Sequence, residues 1–237
     1  MKSRCDIVYF VKESAFNEEL RYSLRSVERN FKYRNVWFCG GRPDYLRPDK
    51  LMRLNQVGLN KWEKVRNNIR LVCENEEISE DFWLFNDDFY IMKPQDNMKP
   101  QYNGKIIDYI EDIKRKNGGS DSQYTMRLRD TIKALKEAGL TTYNYEVHKP
   151  MLINRKKALE LLDRFPTEPG FRSLYGNYFK VGGVDKQDMK VKLLLHSRLD
   201  IVDNEWEFLS TSDKSFAKGN IGCCIRDKFK ERSRFEV

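Results

Sequence analysis

Asn86, Asp87 and Asp88 stand inside FWLFNDDFYIM, a run from Phe82 to Met92 that is otherwise apolar. Adjacent carboxylates buried without partners are costly, and Asn and Asp are poor strand formers, so a group of opposite charge is expected against them. Paired hard oxygen ligands suit Mg²⁺ or Mn²⁺, ions that keep waters and share their shell with substrate phosphates. Asp87 and Asp88 are therefore the candidate metal ligands, with Asn86 beside them in a candidate cofactor site. The plainer alternative is a turn in which Asn and Asp bond nearby backbone, although a tight turn does not need two acids set among apolar neighbours.

Other residue types in the chain could complete such a site. There are only two histidines, and each is a candidate metal ligand or general base. His148 precedes Lys149 and Pro150, and the proline holds it in extended geometry; His196 closes VKLLLH. A hydrogen-bonded structural histidine is the competing reading. Asp185 and Asp188 lie in GGVDKQDMKV, beside glycines that allow close approach to a ligand. A carboxylate within hydrogen-bond reach is the usual base for an acceptor hydroxyl, which makes Asp188 the candidate base; the alternative is an acid favoured at a helix N-terminus. Arg21 and Arg25 are four residues apart on one helical face and carry the fork suited to phosphate, against the reading of ordinary solvated arginines. Arg172, Ser173, Tyr175 and Asn177 in RSLYGN read as a shelf for sugar hydroxyls or as an ordinary loop.

These residues need a scaffold. CDIVYFV from Cys5 reads as a buried first strand, and Glu18 to Asn30 as a helix capped by Asn17, with Leu20, Leu24 and Val27 inward. NVWFCGG from Asn35 is a second strand, and a weak third is expected at Met52 to Val57. Lys61 to Asn75 sets Trp62, Val65, Ile69 and Val72 on one helical face, ahead of the strand carrying the acids. Such alternation predicts a right-handed, mostly parallel, Rossmann-like α/β sheet, whose ligands bind beyond the carboxyl ends of its strands. Further on, helices are expected at Lys105 to Lys116 and Gln123 to Ala138, an extended run at TTYNYEVHKPMLI, a helix capped by Asn154, and little period over residues 170–186.

Composition sets the outer bounds. A chain of 237 residues, 40% hydrophobic and 34% charged, has neither disordered nor fibrous character. Five cysteines without CxxC spacing, and two histidines, argue against structural zinc and read as reduced thiols. The short apolar start is no signal peptide and no segment is a membrane span, so a cytoplasmic protein is expected. The net charge of +8 favours an anionic partner, nucleotide, glycan or nucleic acid. Basic residues gather late, at Lys214, Lys218, Arg226, Lys228, Lys230, Arg232 and Arg234. That stretch reads as a solvated tail, or as a nucleic-acid contact with Phe216 and Phe229 available for stacking.

FNDDF after an apolar strand resembles the acidic metal motif of glycosyltransferases with the GT-A fold. With DIVYFV, ELRYSLRSVERN and HKPMLI, it is similar to the Stealth family of sugar-phosphate transferases and to small phage-type glycosyltransferases. The resemblance implies a single GT-A-like domain with helical additions and a nucleotide-diphosphate sugar as donor. It also implies Mn²⁺ or Mg²⁺ on Asp87 and Asp88, and a late histidine on the metal, for which His148 is preferred to His196 because HKP belongs to the matching segment. The loop after the first strand, Phe10, Val11, Lys12 and Glu13, would meet the nucleotide's base and ribose, a surface turn being the alternative. Residues 1–100 would form the nucleotide-sugar half, 101–213 the acceptor half and 214–237 a basic tail. Stealth proteins carry a tryptophan-valine-aspartate-glycine turn where this chain has Val11, Lys12, Glu13 and Ser14, which favours transfer of a sugar to a glycan or other hydroxyl, a modified DNA base included. Sugar-phosphate transfer and non-catalytic nucleic-acid binding are the alternatives.

Overall fold

The computed structural model describes residues 5–54, 58, 60–192 and 206–237. His196, and the part of the expected third strand at residues 55–57, lie outside the described residues.

Four parallel strands and one antiparallel edge strand make the central sheet. They are β1 (Asp6–Val11), β2 (Val36–Gly40), β3 (Lys50–Met52), β4 (Asp81–Phe85) and β7 (Met151–Asn154), in the order β3-β2-β1-β4-β7. β7 is antiparallel to β4, with Phe82 opposite Ile153, so the 1–100 and 101–213 halves share one sheet. Alternation along the strands feeds two cores. Ile7, Tyr9, Phe38 and Phe85 face α1 (Glu18–Asn30), which contributes Leu20, Leu24 and Val27. Val8, Cys39, Phe82 and Leu84 face α2 (Lys61–Glu74) and α5 (Arg155–Arg164). α3 (Ile106–Lys116), α4 (Gln123–Glu137) and α6 (Phe171–Tyr178) extend the second layer. The result is mixed α/β with helices on both faces of a mostly parallel sheet.

The apolar run around the acids is not one strand. β4 stops at Phe85, Asn86 to Asp88 turn the chain, and Phe89–Ile91 becomes β5 in a different sheet, antiparallel to β10 (Phe208–Thr211). β10 also pairs with β9 (Lys190–Val191), and a small ladder joins β6 (Gln101–Tyr102) to β8 (Val184–Asp185). The acids thus sit at a corner between sheets, with Asn86 exposed, Asp87 half-buried and Asp88 buried, and apolar strands anchor both sides.

Three expectations change. The third strand falls at Lys50–Met52, in register with Trp37 to Cys39 of β2. RSLYGN is no loop but part of α6, whose residues from Phe171 to Asn177 are buried. The 214–237 segment is packed. It forms α7 (Asp213–Lys218) and α8 (Asn220–Lys228), and its end returns to the first core, where Phe235 is fully buried 5.5 Å from Phe38. Phe216 and Phe229 are each 2% exposed, which removes them as stacking platforms for bases. Among the described residues no helix is long and apolar enough to cross a membrane.

Candidate active site

The strand order places the reversal between β1 and β4, because β1 leads to β2 on one side and β4 lies on the other. Open α/β sheets bind ligands at that position, outside the carboxyl ends of the strands. A cleft of about 940 Å³ opens there. Its floor is Phe10, Val11 and Lys12 after β1, Cys39 on β2, and Asn86, Asp87 and Asp88 after β4. Asn17, Glu18 and Glu19 at the start of α1, Lys61 and Lys64 at the start of α2, His148, Lys190, Asp213 and Phe216 complete the wall.

The loop after β1 is pinned by glycine. A Cβ on Gly41 would come 2.4 Å from the Lys12 carbonyl oxygen, and Gly40 has φ +116 with the same closeness to Val11. Lys12 therefore lies close over the end of β2 and lines the cleft. Glu13 is exposed, does not line it, and stands 3.7 Å from Arg53 instead.

Asp87 Oδ2 accepts from the Asn17 side-chain amide at 2.8 Å, while Asn17 Oδ1 caps α1 at Leu20. Asp88 is 8% exposed, and its Oδ2 accepts from Lys190 Nζ and Ser210 Oγ, both at 2.9 Å. Glu19 joins them, accepting from Thr211 Oγ1 at 2.5 Å. Burial, with the Asp88 charge beside it, holds Asp87 above the usual carboxylate range despite the Asn17 amide. Burial and the charges of Asp88, Asp87 and Asp213 push Glu19 up to about 7. This corner carries more negative charge than Lys190 and Lys12 neutralise.

That donor set fits a hard divalent ion held by Asp87 and Asp88, with water and substrate phosphate as further ligands, the arrangement Mg²⁺ favours over an all-protein cage. His148, the expected further ligand, stands on the same cleft. Among the described residues no group of three His, Cys, Asp or Glu side chains converges to hold a metal. His148 lines the cleft, but its Nδ1 is 2.6 Å from Asp188 Oδ2, and its backbone N–H donates to Asp188 Oδ1 at 2.8 Å.

The same contacts correct the expectation for Asp188. Both its oxygens are occupied by His148, and it does not line the cleft. Burial, which would raise its pKa, is outweighed by these bonds, and the carboxyl sits below its ordinary range. Asp188 can therefore orient His148, fixing the tautomer with hydrogen on Nδ1 and leaving Nε2 as the ring's acceptor.

Four more expected residues lie elsewhere. Arg25 donates to both Glu236 oxygens, at 2.7 and 2.6 Å, and to the Phe229 carbonyl at 3.1 Å. Arg21 lies 4.1 Å over the Tyr45 ring and 3.7 Å from Glu236. Both arginines are committed to docking the C-terminal segment, and neither reaches the cleft. Arg172 is buried and donates to the Lys149 carbonyl at 2.6 Å; its second amino group is 3.5 Å from Asn86 Oδ1. The Tyr175 hydroxyl accepts from the Asn154 backbone N–H at 2.9 Å. Arg172 and Tyr175 line a second cavity.

Sequence reasoning missed Glu19, Lys61, Lys64 and Lys190. Glu19, Lys61 and Lys64 carried a usable signal, lying in the first turns of helices that follow parallel strands, where ligands meet α/β sheets. Lys190 carried none, because it arrives through β9 and the second sheet.

No family model matches this chain, and no curated protein does. Solved structures similar to it include a galactosyltransferase, LgtC, in complex with donor and acceptor sugar analogs, at 10% identity and TM-score 0.44, covering 96% of each chain. Mouse xyloside xylosyltransferase 1 is similar at 10% identity and TM-score 0.42, over 89% of this chain and 99% of that one. The glycosyltransferase GlyE of Streptococcus pneumoniae TIGR4 is similar at 10% identity and TM-score 0.38, over 74% of this chain, which spans only 43% of GlyE. These similar structures are all glycosyltransferases, but at such identities and scores the likeness assigns no activity to this chain.

Proposed function

We propose that the cleft binds a nucleotide-diphosphate sugar and transfers the sugar to a hydroxyl acceptor, in a GT-A-like arrangement. The observation that carries this reading is the meeting of Asp87 and Asp88 with Lys12, Lys61, Lys64 and Lys190 at the carboxyl end of the sheet, at its point of reversal. Lysines and the starts of α1 and α2 suit a diphosphate, while Phe10, Val11 and Cys39 offer an apolar wall to a base. A Mn²⁺ or Mg²⁺ ion held by Asp87 and Asp88 would supply Lewis-acid neutralisation of the leaving diphosphate.

His148 acts as the base in this reading. As the acceptor oxygen bonds to the anomeric carbon, the bond from that carbon to the diphosphate breaks. The nucleoside diphosphate leaves with the electron pair, and the acceptor's proton passes to Nε2 of His148. Asp188 stabilises the imidazolium through Nδ1–H.

Calorimetric titration with nucleoside diphosphates and nucleotide sugars, with and without Mn²⁺, tests the reading. One nucleotide should bind with metal dependence, and Asp88→Ala should weaken it by about tenfold or more, roughly 1.4 kcal/mol for one lost charged contact. Absence of any nucleotide binding at about 1 mM ligand, with either metal, removes the proposal. Products separate the Stealth-like alternative, since sugar transfer releases a nucleoside diphosphate and sugar-phosphate transfer a monophosphate.

A further inference from the structure

A second cavity, of about 430 Å³, is lined by Val147, Lys149 and Pro150, the chain neighbours of His148. Trp83, Met98, Met151 and Leu152 give it apolar walls, and Lys149 and Arg172 line it as well. Each of these two cations is only 8% exposed. Their partners are neutral. Lys149 Nζ donates to the Lys99 carbonyl at 2.9 Å and lies 4.3 Å over the Phe208 ring. Arg172 donates to the Lys149 carbonyl at 2.6 Å, has the Leu84 carbonyl and Asn86 Oδ1 at 3.5 Å, and lies 5.5 Å over the Phe89 ring.

Among the described residues neither cation has a carboxylate in ion-pair contact. The acid on the cavity wall, Asp81, accepts from the Asn154 amide at 2.8 Å. Burial pushes the Lys149 ammonium down to about 8 and lowers Arg172 from its ordinary value, with Glu207 and Glu146 as the leading opposing charges. Buried cations are ordinarily paired with anions, because an uncompensated charge in a protein interior costs several kcal/mol even after relaxation. Two of them on one cavity wall, with a volume in the range of small-molecule sites, call for an anion from outside the chain.

We propose that this cavity binds a small organic oxyanion, a carboxylate or a phosphate monoester on an apolar body. The charged end meets Lys149 and Arg172 while the body packs on Trp83, Met98 and Met151. The site is distinct from the nucleotide cleft, because Lys149 and Arg172 line the cavity and not the cleft.

The probes are phenyl phosphate, benzoate and the uncharged benzyl alcohol, titrated into full-length protein carrying ¹³C-methyl methionine. Of the seven methionines, Met98 and Met151 line the cavity, so their resonances should shift with at least one anion. Benzyl alcohol should bind at least about tenfold more weakly, and Lys149→Met should weaken the anion by a similar factor, about 1.4 kcal/mol. The tighter anion identifies phosphate or carboxylate as the preferred head group. If neither anion shifts Met98 and Met151 at about 10 mM, or if benzyl alcohol binds as tightly as the anions, the proposal is wrong. Both of those readings come from the wild-type protein and stand even where Lys149→Met does not fold.

Discussion

His148 and Asp188 are 2.6 Å apart at Nδ1, which divides the work between a residue on the cleft and one behind it. Loss of either should show in kcat. His148→Ala is expected to lower kcat by about 10²- to 10⁴-fold, the usual worth of a positioned base, with KM for the nucleotide little changed. Asp188→Asn should also lower kcat, by up to about 10⁴-fold, because the amide favours the wrong imidazole tautomer. Steady-state rates with the nucleotide found by titration check both, and equal losses in KM and kcat would point to a binding role for His148 instead. Glu19 makes a separate prediction. A carboxyl whose folded pKa of about 7 lies above its ordinary value near 4.3 holds its proton better in the folded state. Stability is then lost as pH rises between those values. Glu19→Gln keeps an acceptor for Thr211 and removes the charge, so metal-free protein should melt higher than wild type at pH 8 and alike near pH 4. Thermal scans at the two pH values decide it, and a pH-independent difference would speak against the mechanism.

At the scale of the element, α1 is tied to the site through its own cap. Asn17 accepts from Leu20 N–H with one side-chain atom and donates to Asp87 with the other, while its carbonyl accepts from the Tyr45 hydroxyl at 2.6 Å. The start of a helix and the orientation of a candidate metal ligand are thus one set of bonds. Asn17→Ala should cost about 1 kcal/mol for the lost cap, read by urea unfolding, and should weaken nucleotide binding as well. Asn17→Asp keeps the cap but sets another carboxylate against Asp87, so its penalty should be larger at pH 7 than at pH 4. Gly41 acts similarly for the loop after β1, because no side chain fits between it and Lys12.

For the whole molecule, the C-terminal segment closes the first core. Phe235 is buried against Phe38, Arg47 N–H donates to the Phe235 carbonyl at 2.7 Å, and Arg25 donates to Glu236 through Nε and Nη2. Phe235→Ala should destabilise the fold by about 3–5 kcal/mol, the range for a large aromatic lost from a core. A shift in the urea midpoint at unchanged slope would register it; a loss below about 1 kcal/mol would mean that the segment is peripheral.

Local physics determined much of this protein. The periodicity of Leu20, Leu24 and Val27, the Asn17 and Asn154 caps and the apolar alternation of the first strands each depend on near neighbours, so the elements around α1, α2 and α5 could be read directly. The conflict of two acids inside an apolar run likewise marked Asp87 and Asp88, because a strand cannot bury them cheaply. Tertiary structure decided which charges meet. Arg25 finds Glu236 at 211 residues' separation, Asp88 finds Lys190 at 102, and His148 finds Asp188 at 40. A side chain's type announces what it can bind, but long-range pairing chooses its partner, and only the fold sets which of several equivalent arginines, lysines or aspartates is spent on packing and which is left facing the cleft.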